Sequence, residues 1–452
     1  MDERTLQLGR DNITSLLIKF SLPAIVGMLA NSLYTIIDRL FVGNIVGADA
    51  IAGMSITMPI SFIIMAFGML IGIGSGALVS IRLGERRPDD AEAILGNAFM
   101  LGVIISIITS AIMLTFLDQL LMKFGASSQT LPFGRQFISI ILWGSIFQFT
   151  SFGLSAVIRS EGNPRMSMVV LLINAGLNIL LDFIFIYWLG MGIKGTAVAT
   201  VISQAVSASL VVYYFTRGNS VLKLRLPCMR LRWQIINEIM AIGMAPFLMQ
   251  LGASVINILF NRDLAQYGGD SAIAAFGIMN TIIMFILMPI FGINQGAQPI
   301  IGFNYGAENY HRVTNALKKA ILAATLIASA GFIMGETIPH LLIQAFTPDA
   351  EVIAIGTRGM RIFLILLPIV GVQIVSANFF QAIGKAQKSV VLSLLRQVIL
   401  LIPLLILLPP WLHLDGVWLA GPISDCIATL VTWLVLMQEV KHMRKLRWQS
   451  AA

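Results

Sequence analysis

The chain has 452 residues, 57% of them hydrophobic and only 12% charged, with a formal net charge of +8. A soluble domain carries about 25% charged residues, so neither an ordinary soluble enzyme nor a basic nucleic-acid-binding protein fits, and the positive balance reads as loops facing the cytoplasm. Two cysteines (Cys228 and Cys426) and four scattered histidines give no disulfide framework and no metal-ligand spacing.

The opening MDERTLQLGRDNIT is polar and predicts a cytoplasmic leader with no cleaved signal peptide. Apolar segments long enough to cross a bilayer, about 20 residues each, then follow near 15–42, 54–81, 93–117, 132–158, 165–189 and 195–216. The stretch 217–235 is the longest polar connection. It alternates basic and apolar residues, which suits either anionic lipid headgroups or a solvated loop. Further segments follow near 236–266, 272–304, 315–340, 352–382, 388–410 and 416–438. The expected fold is an all-α polytopic membrane protein of twelve transmembrane helices. With the N-terminus inside, Lys and Arg gather at the inner ends, including Arg82, Arg86 and Arg87 and five in 217–235. This charge asymmetry predicts both termini in the cytoplasm, in a bacterial inner membrane.

The two halves repeat at an offset of roughly 222. Pro23 pairs with Pro246, Asp38-Arg39 with Asn261-Arg262, Gly72 and Gly76 with Gly292 and Gly296, and Gly162 with Gly384. Six spans per half is an even number, so both halves enter the membrane in the same direction. They predict two six-helix lobes, 1–216 and 236–452, related by a pseudo-two-fold along the membrane normal and joined by a basic cytoplasmic linker at 217–235. The repeat is asymmetric in charge: Asp38 becomes Asn261, and Asp182 aligns near Leu404. Ion coupling is therefore expected in the first lobe.

Asp38 lies among Leu33, Ile36, Ile37, Leu40 and Phe41. A carboxylate at bilayer depth costs about 2.5–3.5 kcal/mol on insertion scales, and such residues mark ion or proton pathways. Asn174, Asn178 and Asp182 recur every four residues and share one helix face. They line a cavity or glue helices together. Asp38, Asn178, Asp182 and Thr200 all fall in the outer half and form one candidate site for H+ or, less favoured, Na+. The bland alternative pairs Asp38 with Arg39. Asn31, Tyr34, Met54, Asn174, Ser203 and Asn257 are candidates for lining a substrate cavity. The 23 methionines suit a soft, adaptable pocket and ordinary packing equally. Arg396 and Asp425 come to similar depth and are expected to pair. The glycines of 68–76 predict close helix packing, because a phosphate loop at that depth would leave backbone groups unpaired.

The segments SLPAIVGMLANSLYTIIDRLFVG (21–43), IRSEGNPRMSM (158–168), LNILLD (177–182) and GIKGTAVATVISQ (192–204) resemble the multidrug and toxic compound extrusion (MATE) family, over nearly the whole chain. That resemblance implies export of lipophilic, mostly cationic compounds driven by Na+ or H+, with no cofactor and no enzymatic activity. The family's first-helix Asp matches Asp38, its fifth-helix Asn and Asp match Asn178 and Asp182, and its sixth-helix Thr matches Thr200. Acidic positions of the NorM branch hold Ser254 and Gly371 here, so the chain looks more like the DinF or MepA-like branches, which tilts coupling toward protons. Partners are then lipophilic cations and membrane lipids, and one chain supplies both lobes as a monomer. A lipid-linked precursor flippase is the alternative. It would line its cleft with several Arg or Lys, whereas the spans hold chiefly Arg396. No Walker-type glycine loop supports an ATP-driven pump.

Overall fold

A computed structural model describes residues 3–451, and among these all regular structure is helical. Twelve membrane spans emerge among the described residues. In the first half they are α1 (Ile13–Phe41), α2 (Met58–Gly84), α3 (Pro88–Thr115), α4 (Leu131–Ser160), α5 (Pro164–Asp182) and α6 (Ile193–Thr216). The segment Trp233–Gly306 is continuous in hydrogen bonding but breaks at Gly269 (φ 64°). That angle suits a residue without a Cβ. The break divides the segment into α7 (233–268) and α8 (270–306). Then come α9 (Tyr310–Thr337), α10 (Ala350–Leu364 and Leu367–Ala382, bent by 52°) and α11, which begins at Ala386–Leu394 and ends at Ile402–Leu407. The last segment, Pro409–Ala451, turns at His413 (φ 50°) into α12 (414–446). The bend in α10 falls just before Pro368, whose ring cannot continue the preceding hydrogen-bond ladder. Asn12 caps α1, its Oδ1 accepting the Thr14 N–H at 2.9 Å, so the Asn-Ile-Thr sequence is a helix start.

The lobes meet along their inner halves, and glycines set how closely. A methyl on Gly243 of α7 would run into the Leu70 carbonyl of α2, and one on Gly74 into the Ile239 carbonyl. Gly84 and Gly306 repeat the arrangement against Phe303 and Ile81. On the opposite side, Gly296 of α8 faces Ser21 of α1. The glycines of 68–76 thus pack helices, as expected: Gly68, Gly72 and Gly76 face α4 of the same lobe, and Gly74 faces the other lobe. Among the described residues, hydrogen bonds between the halves reach no further outward than Ser32 of α1 and Met288 of α8 (3.4 Å). Beyond that level the lobes part, and Asn31 of α1 and Asn257 of α7 are exposed. With the end that carries Glu3–Arg10 taken as the inner one, as the charge asymmetry predicts, the arrangement is outward-open.

Two devices close the inner side. The short helix Glu3–Arg10 buries Leu8 and touches both lobes. Thr5 Oγ1 donates to the Glu161 carbonyl (2.8 Å) in the first lobe. In the second, Asn304 Nδ2 donates to the Leu8 carbonyl (2.9 Å), and Arg312 Nη2 donates to the Leu8 and Asp11 carbonyls (3.1 and 2.6 Å). The linker is a strap. Leu222 and Leu224 turn into the core while Arg225 is exposed, so the alternation seen in the sequence has an inner and an outer face. Asn97 of α3 holds the strap through the Arg230 carbonyl (3.1 Å) and the Arg232 N–H (2.7 Å). The Glu161 carboxylate anchors its start, accepting from Ser220 Oγ (2.6 Å), the Leu222 N–H (3.4 Å) and the Tyr214 hydroxyl. Burial wins over those donors and pushes the Glu161 carboxyl up to about 7.

The second lobe is less free of buried acids than the repeat suggests. Asp263 of α7 is buried, its Oδ1 held by Arg262 Nε and Nη2 at 2.9 and 2.8 Å. Arg396 and Asp425 pair as expected, at 2.5 Å.

Candidate functional site

Three helices of the first lobe build the site. Asp38 sits one turn from the end of α1. Asn178 and Asp182 lie one turn apart on α5, and Thr196 and Thr200 one turn apart on α6. Directly after each acid the helix widens into a π turn, Val42–Val46 after Asp38 and Phe183–Trp188 after Asp182. Such turns recur at functional sites because they loosen the i→i−4 ladder. Here they place both carboxyls at the last regular turn of their helices.

The expected constellation is brought together. Asn178 Nδ2 donates to Thr200 Oγ1 at 3.2 Å. The Asp38 carboxyl lies beside Asp182 and Thr196 without a hydrogen bond to either. Tyr34 lies beside both acids. Asp38, Asn178 and Asp182 are all buried. Asp38 makes no ion pair with Arg39 among the described residues; the Arg39 guanidinium is exposed and reaches Met58 Sδ at 3.8 Å. The bland pairing is therefore not what the fold adopts.

The substrate-cavity candidates divide. Asn174 stands one turn inward of Asn178 with a buried, unpartnered Oδ1. Asn31 and Asn257 are exposed on α1 and α7. Ser203 is buried and donates to its own helix at Ala199 (2.7 Å). Met54 packs at the outer end of the lobe with Val42, Ala50, Ile186 and Ile193. Thr196 was not among the residues expected from the sequence. Its signal was available: it precedes Thr200 by four residues and so shares its face.

The electrostatic state of the site follows from its orphans. Asp38 Oδ1, both Asp182 oxygens, Asn178 Oδ1 and Thr196 Oγ1 are buried without a hydrogen-bond partner. Buried polar atoms are ordinarily satisfied. Two buried carboxylates side by side do not both stay ionised without a proton or a cation between them. Every orphan is an oxygen, the donor type that hard cations take. Such an oxygen-rich, unneutralised pair has the chemistry to hold a proton or a small hard cation.

Known proteins give the same frame. The family model described as MatE matches twice, at residues 23–184 and 246–407, the two halves of the repeat. The chain is 27% identical over 435 residues to a multidrug export protein, MepA, of Staphylococcus aureus, covering 96% of each. It is 38% identical to a MATE multidrug transporter of solved structure, DinF-BH, with a TM-score of 0.90 over 97% of this chain and 98% of that one. A MATE-family transporter of the MOP superfamily in an outward-facing conformation superposes with a TM-score of 0.92 at 24% identity over 98% of this chain and all of that one, a likeness of fold.

Proposed function

The chain belongs to the MatE family of membrane transporters and is not an enzyme, and from that premise we propose that it is a proton-coupled multidrug antiporter. It exports lipophilic, mostly cationic compounds by alternating access. Protons move inward through Asp38, Asn178, Asp182 and Thr200, with Thr196 as a fifth member. One observation carries the reading: two buried carboxyls lie beside one another, in no ion pair and with unpartnered oxygens. Na+ suits the same oxygens. The proton reading ranks first because the acids meet each other, as an acid pair sharing a proton does, rather than spreading around an ion.

The residues take these roles. Asp182, wholly enclosed, exchanges its proton through Asp38, which keeps a slight exposure. Asn178 and Thr200 hold α5 and α6 in register so that the exchange distance is kept. A deprotonated pair offers negative charge to a cationic cargo; protonation removes it and releases the cargo outward. The inner surface closed by the Glu3–Arg10 helix is the cytoplasmic one in this reading, and the chain works as a monomer with both termini inside.

The test is ethidium flux in proteoliposomes under an imposed pH gradient and then an imposed Na+ gradient, with Asp38→Asn as control. Flux driven by pH and lost in the variant supports the proposal. Flux driven only by Na+ changes the ion, and flux under neither gradient overturns antiport.

A further inference from the structure

At the inner end of α1, a groove of about 700 Å³ opens sideways between the starts of α1 and α5. It lies outside the acid site. Its wall is apolar and its rim is basic. Ile18 and Leu22, 60% and 57% exposed, form the wall with Pro23. Lys19 of α1 and Arg165 of α5 stand at the rim with the hydroxyl residues Thr14 and Ser15. The Lys19 ammonium donates to Gln7 Oε1 (2.7 Å), a neutral amide, so its charge is not neutralised. A third cation comes from the other lobe: Lys319 of α9 donates to Thr14 Oγ1 at 2.6 Å. Among the described residues, none of these three cations is in an ion pair.

Such a rim repels the cationic cargo and selects an anion. The wall selects an amphiphile. From Ile18 and Leu22 the exposed apolar face of α1 continues through Val26, Leu29, Leu33, Ile36 and Leu40. The spacing of three to four residues keeps them on one stripe. The stripe rises about 1.5 Å per residue, long enough for an acyl chain.

We propose that this groove binds an anionic phospholipid of the inner leaflet, its phosphate between Lys19 and Arg165 and one acyl chain along Ile18 and Leu22. Lys319 of the second lobe reaches the same rim through Thr14 and adds to its positive charge. The inference needs only that α1 and α5 span a bilayer. It does not depend on what the acid site couples to.

The experiment is native mass spectrometry of the full chain, purified in detergent and offered equal amounts of phosphatidylglycerol and phosphatidylcholine. Wild type should retain phosphatidylglycerol preferentially. A basic residue near a membrane surface is worth about fivefold in anionic-lipid binding. Lys19→Gln with Arg165→Gln should therefore lower the retained phosphatidylglycerol by about thirtyfold and leave phosphatidylcholine unchanged. Leu22→Trp, which fills the groove without touching a charge, should lower retention as well and keeps the test valid if the double variant does not fold. Equal retention of the two lipids by wild type, or unchanged retention in both variants, overturns the proposal. So does displacement of phosphatidylglycerol by millimolar glycerol phosphate, because the site would then be one for a soluble anion.

Discussion

Asn178 on α5 donates to Thr200 on α6 across 3.2 Å, and in doing so fixes the two helices that carry Asp182 and Thr196. The bond uses the amide's donor and leaves its Oδ1 without a partner. It orders the candidate site without neutralising the acids.

Replacing either acid separates coupling from folding. Asp38→Asn keeps size and burial and removes the charge. It should abolish gradient-driven flux while helicity and elution from a sizing column stay normal. Ethidium efflux from proteoliposomes reads the outcome, and wild-type flux would remove Asp38 from the mechanism. Asp182→Asn should instead flatten the dependence of flux on pH and Na+.

Thr196→Val keeps the side-chain shape and deletes one hydroxyl beside Asp38. A hydrogen bond from it to the ionised acid would be worth about 1.5–3 kcal/mol, so coupled flux should fall by about tenfold or more. Passive drug binding, measured by fluorescence anisotropy without a gradient, should change little. Equal loss of binding and flux would mark Thr196 as a packing residue only.

The buried pair Arg396–Asp425 is structural in our reading. Asp425→Ala leaves a guanidinium without its partner, which for buried pairs costs about 3–5 kcal/mol. Arg396→Met with Asp425→Leu should recover most of the loss. Thermal unfolding in detergent measures both. A double variant as unstable as the single one would show that the pair does more than hold α11 to α12.

Gly243→Ala tests the closed inner seam. The added methyl meets the Leu70 carbonyl, and overpacking of this kind costs about 1–3 kcal/mol. The outward-open form should lose population, seen as shorter distances between spin labels at the outer ends of the lobes. Unchanged distances would mean the seam does not set the equilibrium.

The inner latch should be pH-sensitive through Glu161. Its carboxyl titrates near 4.5 when free and about 7 when buried. The closed latch binds the extra proton, so its stability is full below pH 4.5 and declines as pH rises through 7. Hydrogen exchange of the amides at 220–224 should quicken between pH 5 and 8 beyond the intrinsic rate. Glu161→Gln should remove that excess.

Much of this was legible in the residues. Apolar runs gave the twelve spans within a few positions, because a bilayer fixes helix length. The Pro23–Pro246 and Gly72–Gly292 correspondences gave the repeat. The four-residue spacing of Asn178 and Asp182 gave the α5 face, and depth alone placed Asp38 and Thr200 near it. Thr196 escaped because a threonine in a span has many uses, and only proximity to Asp38 selects one. Asp263 escaped because the repeat aligns Asn261, not Asp263, with Asp38, and so drew attention to the lost acid rather than to the one two residues on. The role of the linker was hidden as well: alternation tells that 222–225 has two faces, but not that one of them is buried under Glu161.

The glycine seam between α2 and α7 bears on energetics as well as on shape. Each contact there sets a backbone carbonyl against a residue with no side chain, and those carbonyls already have partners within their own helices. Parting the lobes leaves those carbonyls satisfied, and the partly exposed Arg82–Glu238 pair across the seam (3.1 Å) can exchange its partner for water. The two end states can then lie close in free energy, within the reach of one differential binding event. A gate built this smoothly is governed by whatever sits in the site above it.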